Sequence, residues 1–503
     1  MSGPPGDDVA ALHAMGYAQE LSRNMGRFSN FAISFSIICI LSGGVNSLAQ
    51  ATSGAGGAAL GLGWPIGGAC ALLFALGMAQ IASAYPTAGG LYHWSSILGG
   101  RFWGWLTAWF NLIGLITVLA AINVGTFAFF VGAFGPALGI AAGYWPQLIF
   151  MILVTGVHGL INHLGIRLTS RLTDLSGYLI FAGALLLTGV LLVYAPSWQF
   201  SRLWTFSNYS GAAGGDVWPK TGSIFMLLML GLLLPVYTLT GYDASAHTAE
   251  ETHDAARNVP RGIIHSVLWA SLFAWLLSCA FVLAIPDMNA AAKQGWNVFF
   301  WVMDQVAPAP LKLTVYAVVF AAQFLAGLAT VTSVSRMIYA FARDDGLPAS
   351  GLLKKVSTRF RTPVAAIWSA VILAVGFTVY ADAYSTVVSV TSIVLYLSYA
   401  MPIAAGLFAY GRGWTRMGPW DMGPAFRIVA VLCIIVSLGI FYIGVQPPNG
   451  QALIVLLAIF TLTAIVWAAS ENRRFRGPPI GAEITRRQAR IVAAEALLDA
   501  YEP

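Results

Sequence analysis

Hydrophobic and polar positions alternate along this chain on a long scale: apolar runs about 20 residues long follow one another, divided by short polar stretches. A bilayer core about 30 Å thick needs about 20 helical residues to cross it. The pattern predicts twelve membrane-spanning helices, near residues 29–51, 64–84, 104–131, 146–163, 173–195, 222–246, 262–285, 311–341, 363–381, 385–409, 425–445 and 451–470. The boundary around Asp382, between the ninth and tenth, is the least sharply drawn. No connection is longer than about 26 residues, too short for a soluble domain. The expected organisation is an N-terminal tail at 1–27, one transmembrane domain at 28–470 and a C-terminal tail at 471–503. In that last tail, ITRRQARIVAAEALLDAYEP has apolar residues at helical spacing and predicts a short helix.

Composition strengthens this reading. Hydrophobic residues make up 58% of the chain and charged residues 9%, against roughly 25% charged in soluble domains. With the N-terminus placed inside, all but four of the 26 Lys and Arg fall on the cytoplasmic side; the exceptions are Arg202, Lys220, Lys293 and Lys312. Both tails are therefore expected in the cytoplasm, and the net charge of +6 describes cytoplasmic loops rather than a nucleic-acid partner. Residues 1–27 are polar, and no signal peptide is expected there. Trp198, Trp204, Trp218, Trp296 and Trp301 sit in the two longest external connections, where amphipathic rings suit the interface.

Glycine placement changes the picture more than glycine number. The first segment carries Ser42, Gly43, Gly44, Val45 and Asn46 in its middle, and a double glycine beside Asn costs helix propensity on the order of 2 kcal/mol. The sixth carries Thr240, Gly241 and Tyr242 after Pro235 has removed one helical donor. Paired interruptions five segments apart mark the substrate site in transporters built from inverted repeats. Unwinding frees N–H groups that suit a substrate carboxylate at Ser42 to Val45, and carbonyls near Ile40 and Leu41 that suit an ammonium.

Candidate chemistry is sparse. No Gly-Lys-Ser/Thr phosphate loop, Gly-x-Ser-x-Gly or His-Glu-x-x-His occurs, so neither ATP-driven transport nor an enzyme is expected. No catalytic residue, cofactor or metal site is expected either. Cys39, Cys70, Cys279 and Cys433 lie in apolar segments without Cys-x-x-Cys spacing and read as small buried hydrophobes. Asp243, His247 and Glu250 are spaced four and three apart, so a resumed helix puts them along one face as a proton or gate route. The competing reading makes His247 to Glu251 the solvated end of the helix, and for Glu250 and Glu251 this is the expectation. Asn111 and Asn123 in segment three and Gln323 in segment eight either line the cavity or bond between helices. Thr330, Thr332 and Ser333 offer hydroxyls but no partner carboxylate for a cation.

Several of these stretches together resemble amino-acid permeases of the amino acid-polyamine-organocation superfamily. Within it they are most similar to the amino acid/choline transporter family, which includes permeases for γ-aminobutyrate. The residues that carry the resemblance are MGYAQELSRNMGRFSNFAISFSIICILSGG, SAYPTAGGLYHW, LTGYDASAHTAEET with ARNVPRGIIHSV, and TSVSRMIYAFARDDGLPAS, spread over roughly 15–470. It implies an all-α membrane protein of two inverted five-helix repeats plus two peripheral helices, working by alternating access. It further implies unwound substrate segments at Ser42 to Asn46 and Thr240 to Asp243, with Pro86, Gly89 and Gly90 in a loop near the inner gate. Two departures stand out: Leu115 where many relatives have Gln, and Ala329 before Thr330 where sodium-coupled relatives have a second hydroxyl. The expectation is a plasma-membrane permease for a small zwitterionic amino acid, proton-coupled or exchanging. A choline or quaternary-amine transporter and a channel or sensor on the same scaffold are the alternatives.

Overall fold

The computed structural model describes residues 6–46, 48–212, 217–380, 384–447, 449–479 and 482–499, so the boundary at Asp382 lies outside the described residues. Among them the chain is helical, with no strand. Ten helices are long and apolar enough to cross a membrane: Arg27–Asn46, Gly57–Ala84, Arg101–Leu138, Tyr144–His163, Ile166–Val193, Ala255–Ala284, Ala309–Arg343, Val388–Ala409, Ala425–Gly444 and Gly450–Arg474. Two shorter apolar helices, Ile224–Thr238 and Val364–Thr378, stand at the sixth and ninth places of the pattern. We number these segments one to twelve in chain order. Segment three overruns its expected end at 131, continuing to Leu138 until Gly139 turns left-handed at φ +68 and stops it.

Burial divides the segments into a core and a rim. In segment one 89% of the apolar stretch is inside the protein, whereas in segments eleven and twelve the share falls to 28% and 17%. Segment ten packs on three, three on eight, and seven on both two and one. Segment twelve instead exposes Ile454 and Leu462, as a lipid-facing helix would.

Both expected interruptions exist. Segment six unwinds after Thr238, passes through Gly241 at φ +91 and resumes at Ala244–His247, with a last 3-10 turn at Ala249–Glu251. In segment one the break is shifted from Ser42–Asn46 to Cys39–Ser42. Helix Arg27–Ile38 ends at Cys39, with φ 22 and ψ 82, and Gly43–Asn46 is helical again. The Ser42 carbonyl accepts from the N–H groups of both Val45 and Asn46, which restarts the helix and places the two glycines in its opening turn.

The breaks touch. A Cβ on Gly241 would lie 2.2 Å from Ile37, and one on Gly43 would lie 2.7 Å from the Thr238 hydroxyl. Only glycine permits this approach at these two positions. Polar side chains then join the first half of segment one to the second half of segment six. The Asn30 amide donates to the Ser245 carbonyl at 2.9 Å and to the Thr252 hydroxyl at 3.0 Å. The Ser34 hydroxyl donates to the Tyr242 carbonyl at 2.8 Å and accepts from the Ser245 N–H at 2.9 Å.

Both tails fold over the end of the bundle where segment one begins. Asp8 accepts from the N–H groups of Asp254 and Ala255, and Glu495 accepts from the Gln19 N–H at 2.7 Å. The helix expected in the C-terminal tail is present as Ala482–Asp499. Of the five loop tryptophans, Trp198 and Trp204 are exposed, but Trp218 is buried and donates to the Gln50 carbonyl at 2.7 Å. Replacing Asn30 by Ala leaves the buried Ser245 carbonyl only a long 3.4 Å contact from the Thr248 hydroxyl and is expected to cost about 1–3 kcal/mol. A lowered thermal midpoint of the purified protein in detergent reads this; an unchanged midpoint rules the polar seam out as a stabilising feature.

Candidate substrate site

Asp243 leaves the break of segment six fully buried, and the neighbouring segments supply donors to both of its oxygens. Asn111 Nδ2 of segment three donates to Oδ2 at 2.9 Å, and the Tyr399 hydroxyl of segment ten bonds Oδ1 at 2.9 Å. Tyr399 in turn accepts from the Gly241 N–H at 3.1 Å, so the backbone freed at the break is satisfied by the same side chain. One turn on, His247 Nε2 lies 3.2 Å from Asp243 Oδ2.

A single residue of the 86–90 loop connects this centre to Glu250. The Ala88 carbonyl is 3.2 Å from His247 Nδ1, and the Ala88 N–H donates to Glu250 Oε1 at 3.0 Å. A carbonyl only accepts, so Nδ1 carries a hydrogen. His247 thus bridges the Ala88 carbonyl and Asp243 through its two ring nitrogens, inside the buried centre. Gly90, at φ +45, brings the loop within 3.3 Å of Ala246 Cβ, measured from its own missing Cβ.

Beyond the loop, the tail-side end of the bundle is closed by charge. Arg343 clasps Glu250 with two bonds of 2.9 Å, and Arg336 clasps Glu251 at 2.9 and 2.8 Å. Glu250 and Glu251 are thus buried ion-pair members, not solvated helix-end residues. Segment eight brings Arg336 and Arg343, two turns apart on one face, against the 3-10 turn that carries them. The Arg343 guanidinium also stacks 3.8 Å over the Tyr17 ring. Asp344 accepts from the hydroxyls of Tyr17 and Tyr92, at 2.6 and 2.9 Å. Burial pushes the Asp344 and Glu20 carboxyls up from their ordinary range, and Arg343 pulls both back.

The comparisons with known proteins agree with this architecture. A family model described as Amino acid permease matches residues 25–467. The Amino-acid permease BAT1 of Arabidopsis thaliana is 31% identical, over 93% of this chain and 95% of its own length. Its homologue from Oryza sativa subsp. japonica is also 31% identical, over 93% and 95%. The GABA-specific permease of Saccharomyces cerevisiae is 26% identical, over 94% of this chain and 86% of its own. The chain belongs to the amino acid permease family. It is a multi-pass membrane transporter and not an enzyme.

The permease's remaining candidate residues divide between the two breaks. Gln323 does not face open space: its amide donates to the Leu41 carbonyl at 3.0 Å, so that carbonyl is already engaged. Asn111 is turned to Asp243 and bonds between helices. Thr240 bonds back to the Tyr237 carbonyl at 2.8 Å, and the ring of Tyr242 lies 4.9 Å from that of Tyr399. Val45 and Asn46 line a cavity of about 160 Å³ with Phe129, Trp296, Phe299 and Phe300, on the side of the break away from the tails. Asn123 bonds Thr155 at 2.9 Å, between segments three and four, and is not among the residues lining that cavity.

Ser34, Ala88, Arg336, Arg343 and Tyr399 were not singled out by sequence reasoning. The seven-residue spacing of the two arginines opposite consecutive glutamates was the one signal available; Tyr399 and Ala88 stand in ordinary apolar and loop contexts. Replacing Arg336 by Met leaves Glu251 buried and unpaired. The expected loss is about 3–5 kcal/mol of stability, partly restored by adding Glu251→Leu, because the pair removed together strands no charge. Thermal unfolding of the three proteins checks this, and equal midpoints for the single and double variants would contradict it.

Proposed function

We propose that this permease moves a small zwitterionic amino acid by alternating access, coupled to the proton held between Asp243 and His247. That buried pair is the observation that carries the reading. Ionisable groups inside a membrane are costly and usually functional. This pair borders the break of segment six and reaches the tail-side loop through Ala88. The substrate carboxylate would meet the amides opening at Gly43 and Gly44, next to Ser42, and Thr240 to Asp243 would form the facing wall. The protein would cross the plasma membrane twelve times, with two inverted five-helix repeats, segments eleven and twelve outside them, and both tails in the cytoplasm. The Glu250–Arg343 and Glu251–Arg336 pairs then close the cytoplasmic side, and the cavity at Val45 and Asn46 lies towards the outside. The name of the yeast relative makes γ-aminobutyrate the first substrate to test.

Radiolabelled uptake into proteoliposomes tests this, with γ-aminobutyrate, neutral, acidic and basic amino acids and choline, with and without a proton gradient. Gradient-driven accumulation of an amino acid is expected. Choline accumulation, or flux without accumulation, would replace the proposal by the quaternary-amine or channel reading. Uptake only against internal amino acid would make it an exchanger. His247→Gln keeps a donor for the Ala88 carbonyl but loses the titratable proton, and should abolish stimulation by the gradient. Stimulation that survives in that variant contradicts the assignment of the pair.

A second substitution tests the substrate position. A Cβ on Gly44 would meet only Trp64, at 3.7 Å, so the fold accepts a methyl group there. Gly44→Ala should therefore be produced and folded yet lose uptake by at least about tenfold, the effect of removing about 1.4 kcal/mol of binding. Wild-type uptake in this variant would move the substrate elsewhere.

A further inference from the structure

Outside the transport pathway, a polar cavity lies where the C-terminal tail folds back on the bundle. It has a volume of about 460 Å³ and is lined by Arg474, Arg476, Arg486 and Arg487, with Asp344, Asp345 and Glu483 among them. Its shape follows from the chain path. Segment twelve ends at Arg474, and Phe475 then turns inward to pack on the rings of Tyr92 and Phe341. Gly477, at φ +83, reverses the chain, and the helix Ala482–Asp499 brings Arg486 and Arg487 back in its first two turns. Arg101, beneath the turn, donates to the Phe475 carbonyl at 3.4 Å and fixes that turn to segment three.

The carboxylates of this cavity already have partners. Asp345 bonds Lys354 at 2.8 Å, Asp344 holds Tyr17 and Tyr92, and Glu483 is 3.2 Å from Arg487. Arg474 is held by Glu471 at 3.0 Å. Arg476 and Arg486 are exposed and make no ion pair among the described residues. Two unpaired guanidinium groups on one cavity, whose carboxylates are already engaged, suit a phosphate, which takes such groups two bonds at a time. Arginines immediately following a membrane segment also stand at the depth of lipid headgroups.

We propose that this cavity is a binding site for a phosphate group, with Arg476 and Arg486 as its principal ligands. Arg487 stands at its inner wall, 3.5 Å from Asp344, so occupancy is coupled to the tyrosines Asp344 holds at the closed end of the bundle. The phosphate could belong to an anionic lipid or to a soluble molecule; the chemistry recognised is the same.

The full-length permease in a phosphate-free maltoside detergent, at constant ionic strength, separates the sources. Hydrogen exchange of residues 482–487 is followed on adding either mixed micelles with phosphatidic acid or inorganic phosphate. Slower exchange with phosphatidic acid alone assigns a lipid headgroup, and slower exchange with inorganic phosphate assigns a soluble source. The R476A/R486A double variant removes no ion pair, and its exchange without either probe should match wild type. Its affinity for the effective probe should fall by at least about tenfold, the loss of roughly one charge-assisted contact. No protection by either probe, or the same protection in the double variant, overturns the proposal. Transport plays no part in this readout, so it stands or falls separately from the function proposed above.

Discussion

A helix interrupted inside hydrocarbon leaves N–H and C=O groups that no lipid can satisfy, and most of this structure follows from how two such interruptions are accommodated. Gly241 and Gly43 let segments one and six approach until backbone lies against side chain, at Ile37 and Thr238. Tyr399 takes up the Gly241 N–H, Gln323 takes up the Leu41 carbonyl, and Ser34 bridges across to Tyr242 and Ser245. Segments eight and ten, which contribute part of that satisfaction, are buried, as is segment three, whose Asn111 bonds the Asp243 carboxylate. Segments four, eleven and twelve contribute little to it and expose their apolar faces.

The same arrangement places the charges. Asp243 emerges from the unwound stretch with its oxygens among donors, and one helical turn carries the chain to His247. Ala88 then uses both of its backbone groups, one on His247 and one on Glu250. The buried Asp243–His247 contact and the Glu250–Arg343 ion pair are thereby joined through one peptide of the 86–90 loop.

At the tail-side end, the arginines of segment eight meet consecutive glutamates without exposing either pair to solvent. Buried pairs of this kind contribute little net stability, because desolvation offsets attraction, but they are intolerant of a missing partner. They therefore define one closed arrangement sharply. The tails add a second layer, with Tyr17 under Arg343, and with Arg487 on Asp344 beside Tyr92 of the bundle.

Much of the fold was legible in the chain, and the reason is solvent. Apolar length reports on the bilayer, so the places of the apolar segments, the C-terminal helix, and the glycine-rich breaks in segments one and six could be read directly. Glycine also reported where backbones would touch, although the shift of the first break to Cys39 depended on which carbonyl, that of Ser42, restarted the helix. Pairing could not be read. Glu250 and Glu251 look like solvated helix-end residues until Arg336 and Arg343, far along the chain, are brought against them. Asn111 and Gln323 look like cavity residues until Asp243 and Leu41 claim their amides. Hydrophobic pattern is a property of each residue against its solvent, and the sequence by itself determined that much. Which polar group meets which depends on distances between helices, and only the tertiary structure decided it.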